Sequence, residues 1–180
     1  MQTTISKTFQ VKHPLKEVWA FLSNPEQVVT CVPGASIVEK LDDRNFKGEV
    51  TLKFGPISAK YNGQLTIEEL DEANRRMVLK GKGLDAKGKG SADMTMTGIL
   101  TEKDGGTEVN YTMDVGITGM LAQFGSRVIT DVSNHLFGIF VNNFMSQIEG
   151  KSVEESELSA GSMVGDIMKK KLGGLFGKKD

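Results

Sequence analysis

The clearest structural pattern in the sequence is ADMTMTGILTEKDGGTEVNYTMDVGI, residues 92–117. Apolar and polar residues alternate on each side of Asp104-Gly105-Gly106, and side chains two positions apart lie on the same face of a strand. The turn is a hairpin signal, because glycine adopts positive φ at little cost. The stretch therefore predicts two antiparallel strands with one apolar face. The residues that share this face are Ala92, Met94, Met96, Gly98, Leu100, Val109, Tyr111, Met113, Val115 and Ile117.

The same period of two continues upstream from Val50 to Ile67, with a break at Gly55-Pro56. Weaker patterns predict strands at residues 36–41 and 75–81, and a first strand at residues 3–11. Strands that follow one another through short turns favour an antiparallel meander with one apolar face.

Helices are predicted on both sides of this meander. Pro14 can open a helix in which Leu15, Val18, Trp19 and Leu22 share one face. A second short helix at residues 25–31 ends before Pro33-Gly34, and a long helix at residues 120–148 must cover the sheet. At its C-terminal end apolar residues spread around most of the helix, more than one packed face requires, so part of them could line a cavity. They are Phe137, Phe140, Val141, Phe144 and Met145.

Composition fits one globular domain of 180 residues, with 38% hydrophobic and 25% charged residues. The 21 glycines and nine methionines are unusual. Methionine is flexible and polarizable, which suits walls that fit an exchangeable apolar guest. The net charge of -1 gives no case for nucleic-acid binding.

We expect a cytoplasmic protein that contacts the inner face of the cell membrane only peripherally. The single Cys31 cannot form an intramolecular disulfide, and the N-terminus lacks a basic region followed by an apolar stretch. The longest apolar run, residues 136–141, is far shorter than the ~20 residues that span a bilayer.

Several short pieces of the sequence together resemble a known family. They are HPLKEVWAFL (13–22), NPE (24–26), CVPG (31–34), YNG (61–63), the glycine-rich stretch 81–90 and LAQFGSR (121–127). In combination, over residues 3–148, they resemble the CoxG family of the START-like, SRPBCC superfamily, named for the G subunit of carbon monoxide dehydrogenase. The resemblance implies an α+β helix-grip fold, in which a curved antiparallel sheet of about seven strands wraps a long C-terminal helix around an apolar cavity.

The resemblance also implies a function. It indicates a non-catalytic accessory of a molybdenum hydroxylase of the carbon monoxide dehydrogenase type, linking that enzyme to the membrane and its quinone pool. No covalent cofactor is expected, and menaquinone or ubiquinone is the expected bound ligand. Helix-grip domains also serve as lipid carriers, hormone receptors and cyclases, so the fold alone does not fix the function.

Nine residues are candidates for lining the cavity. An apolar sheet face opposite a helix is also what a filled core requires, so the period alone does not decide between the two. Met94 and Met96 point the same way and favour a face that repacks around a guest. Tyr61 is the expected polar handle, because its hydroxyl can bond a quinone carbonyl. The set is Phe54, Tyr61, Leu65, Met94, Met96, Met113, Phe124, Val128 and Phe140.

No catalytic or metal site is predicted. His13 precedes a helix-starting proline and is expected at the surface or in a cap, and His135 is expected to form a surface pair with Asp131, four residues away. Cys31 is expected to be a buried small hydrophobe rather than a nucleophile. No role follows from the sequence for Arg127.

The stretch GKGLDAKGKG, residues 81–90, is not expected to bind phosphate. Strands are predicted on both sides, whereas a phosphate loop joins a strand to a helix. The stretch is interpreted as a mobile basic hairpin loop whose lysines, Lys82, Lys87 and Lys89, are available to a partner or to lipid headgroups.

Beyond the domain, taken as residues 1–148, the charge changes sign. Residues 149–161 carry four glutamates against one lysine and are predicted to be a solvated linker. Residues 162–180 carry five lysines against two aspartates on an amphipathic pattern that favours membrane docking, with a partner groove as the alternative. The docking residues are Met163, Val164, Ile167, Met168, Lys169, Lys170, Lys171, Leu172, Leu175, Phe176, Lys178 and Lys179.

Three functions remain open at the level of the sequence. The first is a carrier that takes a quinone from the membrane to the enzyme. The second is a recruitment or maturation scaffold for that enzyme with a filled core, and the third is a cyclase-like helix-grip enzyme with a titratable group in the cavity.

Overall fold

The computed structural model describes residues 1–151, and the predicted tail and most of the predicted linker lie outside this range. The elements are, in chain order, β1 (Gln2–Val11), α1 (Leu15–Leu22), α2 (Pro25–Val28), β2 (Ala35–Lys40), β3 (Asn45–Phe54), β4 (Ile57–Asp71), β5 (Arg76–Asp85), β6 (Ser91–Lys103), β7 (Gly106–Ile117) and α3 (Gly125–Ile148). Short 3-10 helices, Val29–Cys31 and Met120–Phe124, precede β2 and α3.

The strands form one antiparallel sheet in the order β1-β7-β6-β5-β4-β3-β2. Consecutive strands pair from β2 to β7, and β1 closes the series beside β7 at the far edge. The predicted hairpin is present, with Lys103 opposite Gly106 and positive φ at Asp104 and Gly105. The predicted α+β helix-grip fold, a seven-stranded curved sheet with a long C-terminal helix, is confirmed.

The two faces of the sheet differ in polarity. On β1 and β7, the concave face toward α3 carries Ile5, Val109 and Ile117, all buried. The convex face carries cross-strand polar pairs, such as Thr4 with Asp114 at 2.6 Å. This alternation fixes the register, because a slip of one residue would expose the apolar set.

One end of the sheet is sealed, and we call it the helix-capped end. There Val18 and Trp19 of α1, Cys31 and Phe144 of α3 are buried together with the ends of β1, β6 and β7. Thr107 is fully buried and donates its hydroxyl to the carbonyl of His13 at 2.9 Å. A dense cluster therefore anchors the C-terminal half of α3.

The long C-terminal helix predicted at residues 120–148 is confirmed, and Gly125, with φ 81°, divides it into the 3-10 helix Met120–Phe124 and α3. One predicted boundary was wrong. The loop expected at residues 81–90 is shorter, because β5 continues to Asp85 and only residues 86–90 form the turn. Lys82 therefore lies on a strand.

Within residues 1–151, no helix combines the length and the apolar character required to cross a bilayer.

Candidate ligand-binding site

The long helix α3 is buried only near its two ends. Of the 24 residues of α3, only Ile129 and Phe144 are buried, and they lie about four turns apart. Between them, the apolar residues Val132, Leu136 and Ile139 stay partly exposed. A helix packed along its whole length against a sheet would bury a continuous stripe. The middle of α3 is therefore not in full contact with the sheet.

The buried core is likewise divided. One cluster lies at the helix-capped end, and a second joins Tyr61, Ile117, Leu121 and Ile129 at the opposite end, which we call the turn end because the β5–β6 turn lies there. The third, Phe46 with Ile67 and Leu79, lies on the sheet alone. A filled domain of this size usually has one contiguous core.

Methionine side chains occupy the concave face between these clusters. Met96 lies opposite Met113 of β7 and opposite Leu79 of β5, and Met94 lies opposite Gly81. All three methionines are only half-buried although they face α3. They are flexible side chains that can rearrange around a guest.

Toward the turn end, the concave face loses its side chains. Gly48, Gly63, Gly83 and Ala92 are paired in sequence across β3, β4, β5 and β6. At Gly63, a Cβ atom would lie 2.0 Å from the carbonyl oxygen of Lys82, so the two backbones approach too closely for any side chain. The row removes side chains from this strip of the concave face, and the Tyr61 side chain covers part of the strip, since a Cβ atom at Gly83 would lie 3.3 Å from the Tyr61 Cβ. Two of the sequence pieces that carry the family resemblance, YNG and the glycine-rich stretch, thus meet here.

The predicted cavity residues fall into three environments. The concave and half-buried ones are Phe54, Leu65, Met94, Met96, Met113 and Val128. Tyr61 is buried on the same face. Phe140 instead packs in the helix-capped cluster, where its ring stacks on Phe144 with 6.2 Å between centroids. Phe124 is 41% exposed, because the 3-10 helix that carries it packs on the sheet through the buried Leu121 and leaves Phe124 largely in solvent.

Exposed apolar side chains and lysines meet at the turn end. Met120 and Phe124 are 36% and 41% exposed. The Met120 amide donates to the carbonyl of Lys89 at 3.0 Å, which places the β5–β6 turn with exposed Lys87 and Lys89 beside them. Lys82 lies nearby on the outer face of β5. The surface formed by Met120, Phe124 and the turn combines the chemistry that favours an anionic interface.

Tyr61, the predicted polar handle, has a carboxylate beside it. Asp85 is directly opposite Tyr61 in the sheet, and its Oδ1 accepts the amides of Lys87 and Lys89 at 2.8 and 3.2 Å. Burial, and then the charge of Asp85, raise the pKa of Tyr61. The hydroxyl is therefore a neutral donor next to a negative charge.

A second polar group on the concave face was missed by the sequence reasoning. Lys7 and Tyr111 face α3 from β1 and β7, and both lie near Phe137. The signal was available, because Lys7 stands between Ile5 and Phe9 in the alternation that places odd-numbered residues of β1 on the concave face.

The interpretation of His135 as a surface residue paired with Asp131 was wrong. His135 is half-buried, and its ring lies 6.4 Å from that of Phe54 between centroids. Among the described residues no ion pair joins it to Asp131. The side chain of Phe54, the last residue of β3, reaches this face of α3.

Cys31 is a buried small hydrophobe, as predicted, with no exposed surface, and burial raises the pKa of its thiol. Residues 1–151 contain no group of three or more His, Cys, Asp or Glu side chains placed to hold a metal ion. Arg127 is exposed on α3.

The convex face has a cleft of about 280 Å³ between β1, β6 and β7. It is lined by polar residues that include Thr4, Asp93, Thr95 and Asp114. It lies on the opposite side of the sheet from the methionines, and its polar lining does not suit an apolar ligand.

A curved sheet around a long helix, with a divided core and a methionine-rich concave face, defines a START-like helix-grip protein. Solved structures agree. A conserved protein from Geobacillus kaustophilus has a TM-score of 0.74 at 20% identity, over 82% of this chain and 96% of that one. Protein Ms6760 from Mycobacterium smegmatis has a TM-score of 0.58 at 21% identity, over 82% and 91%. The Zhui aromatase/cyclase from Streptomyces sp. R1128 has a TM-score of 0.61 at 13% identity, over 83% and 94%.

The sequence assigns the chain to one family within this class. Residues 8–149 match the family model of CoxG, the G subunit of carbon monoxide dehydrogenase, and the chain belongs to that family. Membership supports an accessory role alongside carbon monoxide dehydrogenase. No curated protein sequence matches the chain significantly.

Proposed function

We propose that this chain is a non-catalytic carrier, which binds a lipophilic molecule of the quinone class and moves it between the cell membrane and a carbon monoxide dehydrogenase-type molybdenum hydroxylase. The single observation that carries the proposal is the burial of α3: Ile129 and Phe144 are buried, and the residues between them are not. A helix that is packed against the sheet at both ends but not in the middle leaves room for a ligand between helix and sheet.

The chemistry of the concave face supports a long apolar ligand. Met94, Met96 and Met113 supply adaptable surface, and three of the four residues in the row from Gly48 to Ala92 are glycines that add no side chain to this face. Burying such a ligand is favourable by roughly 25 cal/mol for each Å² of apolar surface removed from water. The carrier need supply no redox group, because the partner enzyme would reduce the bound molecule.

Two features support membrane contact. The exposed Met120 and Phe124 lie beside a lysine-bearing turn at the turn end of the sheet. The predicted amphipathic tail, residues 162–180, would add five lysines, each contributing about 1 kcal/mol near anionic lipid. The ligand would enter and leave at the turn end while the domain rests on the bilayer, and the buried cluster of Tyr61, Ile117, Leu121 and Ile129 would have to open to let it pass.

The test is to fill the proposed cavity from one strand and to use the neighbouring residue as the control. Met113→Trp adds bulk on the concave face, whereas Thr112→Trp adds bulk on the exposed convex face. Each full-length variant is incubated with vesicles that contain menaquinone or ubiquinone, separated from them and analysed by native mass spectrometry and lipid extraction.

We expect one quinone per chain in the unaltered protein and in Thr112→Trp, and at least a tenfold lower content in Met113→Trp with an unchanged circular dichroism spectrum. If the unaltered protein takes up no apolar molecule, the proposal of a carrier is wrong and a scaffold function remains. Turnover of a small molecule that His135→Ala or Tyr61→Phe abolishes, with uptake intact, would instead indicate a cyclase-like enzyme.

A further inference from the structure

A lysine and a tyrosine face each other on the concave side of the sheet. Lys7 and Tyr111 are directly opposite in the pairing of β1 with β7, and both are half-buried. Three groups surround the ring of Phe137 on α3: the Lys7 ammonium at 5.9 Å, the Tyr111 ring at 5.4 Å and the Phe9 ring at 5.8 Å, each measured to its centroid. One face of this part of the sheet thus combines flat aromatic surface with a cation and a hydroxyl.

Within residues 1–151, neither polar group has a protein partner. No hydrogen bond or ion pair engages the Lys7 ammonium, and no hydrogen bond engages the Tyr111 hydroxyl. Burial raises the pKa of Tyr111 to about 12, so its hydroxyl keeps its proton at neutral pH. Neither the Lys7 ammonium nor the Tyr111 hydroxyl is sealed from solvent, because within residues 1–151 Arg75 Nη1 is the one buried side-chain nitrogen or oxygen that lacks a hydrogen-bond partner. Both groups can donate, and both therefore remain available to an acceptor that enters this part of the concave face.

This pair stands at one end of a continuous apolar track. From Tyr111, the concave residues of β7 are Met113, Val115 and Ile117, and Ile117 lies beside the row of small residues at the turn end. Six residues of strand span about 20 Å. The track therefore has two polar donors at its inner end, and the exposed Met120 and Phe124 lie at its outer end beyond the buried cluster that contains Ile117.

We propose that Lys7 and Tyr111 bind the oxygen of a ring-shaped head group, with the aromatic rings packed against that head and the hydrocarbon chain lying along the methionines toward the turn end. The inference rests on the proposed carrier function and adds the orientation of the ligand and the class of its head. That class is a flat ring with a carbonyl or ionised oxygen. The head group of the ligand enters the cavity first, and its hydrocarbon chain follows.

The alternative polar site is Tyr61, and its neighbour argues against it. Asp85 lies opposite Tyr61, so an electron-rich ligand oxygen there would meet a carboxylate. At the other site, the neighbour is the Lys7 ammonium, which attracts such an oxygen. A ligand carrying its oxygen to Lys7 and Tyr111 avoids this repulsion.

The experiment compares two probes in titration calorimetry with the full chain. One is a short-chain naphthoquinone, and the other is the naphthalene that carries the same chain but no oxygen. The variants are Lys7→Met and Tyr111→Phe, which keep most of the apolar part of each side chain. Tyr61→Phe tests the alternative site, and Lys16→Gln, on the exposed side of α1, is the control for loss of a positive charge.

We expect the unaltered chain to prefer the quinone, and Lys7→Met and Tyr111→Phe each to weaken quinone binding about tenfold, as loss of a hydrogen bond to a buried acceptor does, without changing hydrocarbon binding. Loss of the preference in Tyr61→Phe, or equal effects on both probes, would overturn the orientation. If the unaltered protein binds both probes equally, the polar site is contradicted but the carrier function is not. If it binds neither probe, both the polar site and the carrier function are contradicted.

Lys7 also lies on an edge strand, where an inward lysine discourages pairing with another sheet. If that were its whole role, Lys7→Met would aggregate but keep the preference for the quinone. Size-exclusion chromatography of each variant separates this outcome from loss of the oxygen contact, and a Lys7→Met protein with unaltered preference, monodisperse or aggregated, would overturn the proposal.

Discussion

Single residues determine the chemistry of the concave face, and the two tyrosines illustrate how. Both face α3 from the same sheet, yet Tyr61 adjoins the carboxylate of Asp85 and Tyr111 adjoins the ammonium of Lys7. In each case burial is the first cause of the raised pKa. The phenol environments differ in the sign of the neighbouring charge, so the same side chain can serve different purposes on one face of the sheet.

The titration of Tyr111 gives a prediction at this scale. Tyr61→Phe leaves Tyr111 as the one tyrosine, and its ultraviolet titration should give a pKa near 12 instead of the ordinary 10. Because the raised pKa favours the neutral phenol in the folded state, the folded protein loses stability relative to the unfolded chain as the pH rises from 10 through 12. The double variant that also carries Tyr111→Phe should lack this loss. A midpoint near 10 in the folded Tyr61→Phe protein would contradict the burial of this phenol.

At the scale of the element, the curvature of the sheet and the regularity of α3 depend on different glycines. Gly63 is required, because its missing side chain lets β4 and β5 approach closely. Gly138 lies in the exposed middle of α3, and nothing would come within 4 Å of a Cβ atom there. One glycine is therefore structural, and the other only weakens a helix.

The two glycines predict opposite effects on stability. Gly63→Ala should lower the free energy of unfolding by at least about 2 kcal/mol, because the new methyl group meets backbone atoms that cannot move aside. Gly138→Ala should raise it by up to about 1 kcal/mol, since alanine is the better helix former. Urea denaturation of both variants measures these changes. A neutral Gly63→Ala would mean that the bend of the sheet does not depend on this position.

At the scale of the whole molecule, the helix-grip domain is followed by a stretch of sequence of different character. The chain has a net charge of -1, so binding to an anionic membrane cannot come from overall charge. The proposed membrane binding would instead come from local basic and apolar surface, at the turn end of the domain and in the predicted tail. The domain would then hold the ligand while the tail holds the bilayer.

The division of roles can be measured by co-sedimentation with anionic vesicles. We expect the full chain to bind and a chain ending at Gly150 to bind at least tenfold more weakly, because five lysines of the tail are lost. Lys169→Glu with Lys170→Glu in the full chain should weaken binding too, and high salt should weaken it further. The quinone content of the protein should be the same in the truncated chain and in the lysine variant as in the full chain. Vesicle binding that survives both alterations would assign the membrane contact to the domain alone.

The sequence by itself determined the fold class, the number of strands and the burial of Cys31, because alternation and turn residues are local signals that each strand carries. It also singled out the methionines of the concave face. It did not place Phe124, Phe140 and His135 where the structure has them, since the helical period says which residues share a face but not where a curved sheet covers that face.

Which side chains meet between the sheet and α3 could be learned only from the three-dimensional structure. Lys7 and Tyr111 are more than a hundred residues apart in sequence, and the pairing of the first strand with the last brings them together beside Phe137. Likewise, whether an apolar face is filled or hollow depends on the distance between sheet and helix. That distance is set by the buried contacts at the two ends of α3, and no local pattern records it.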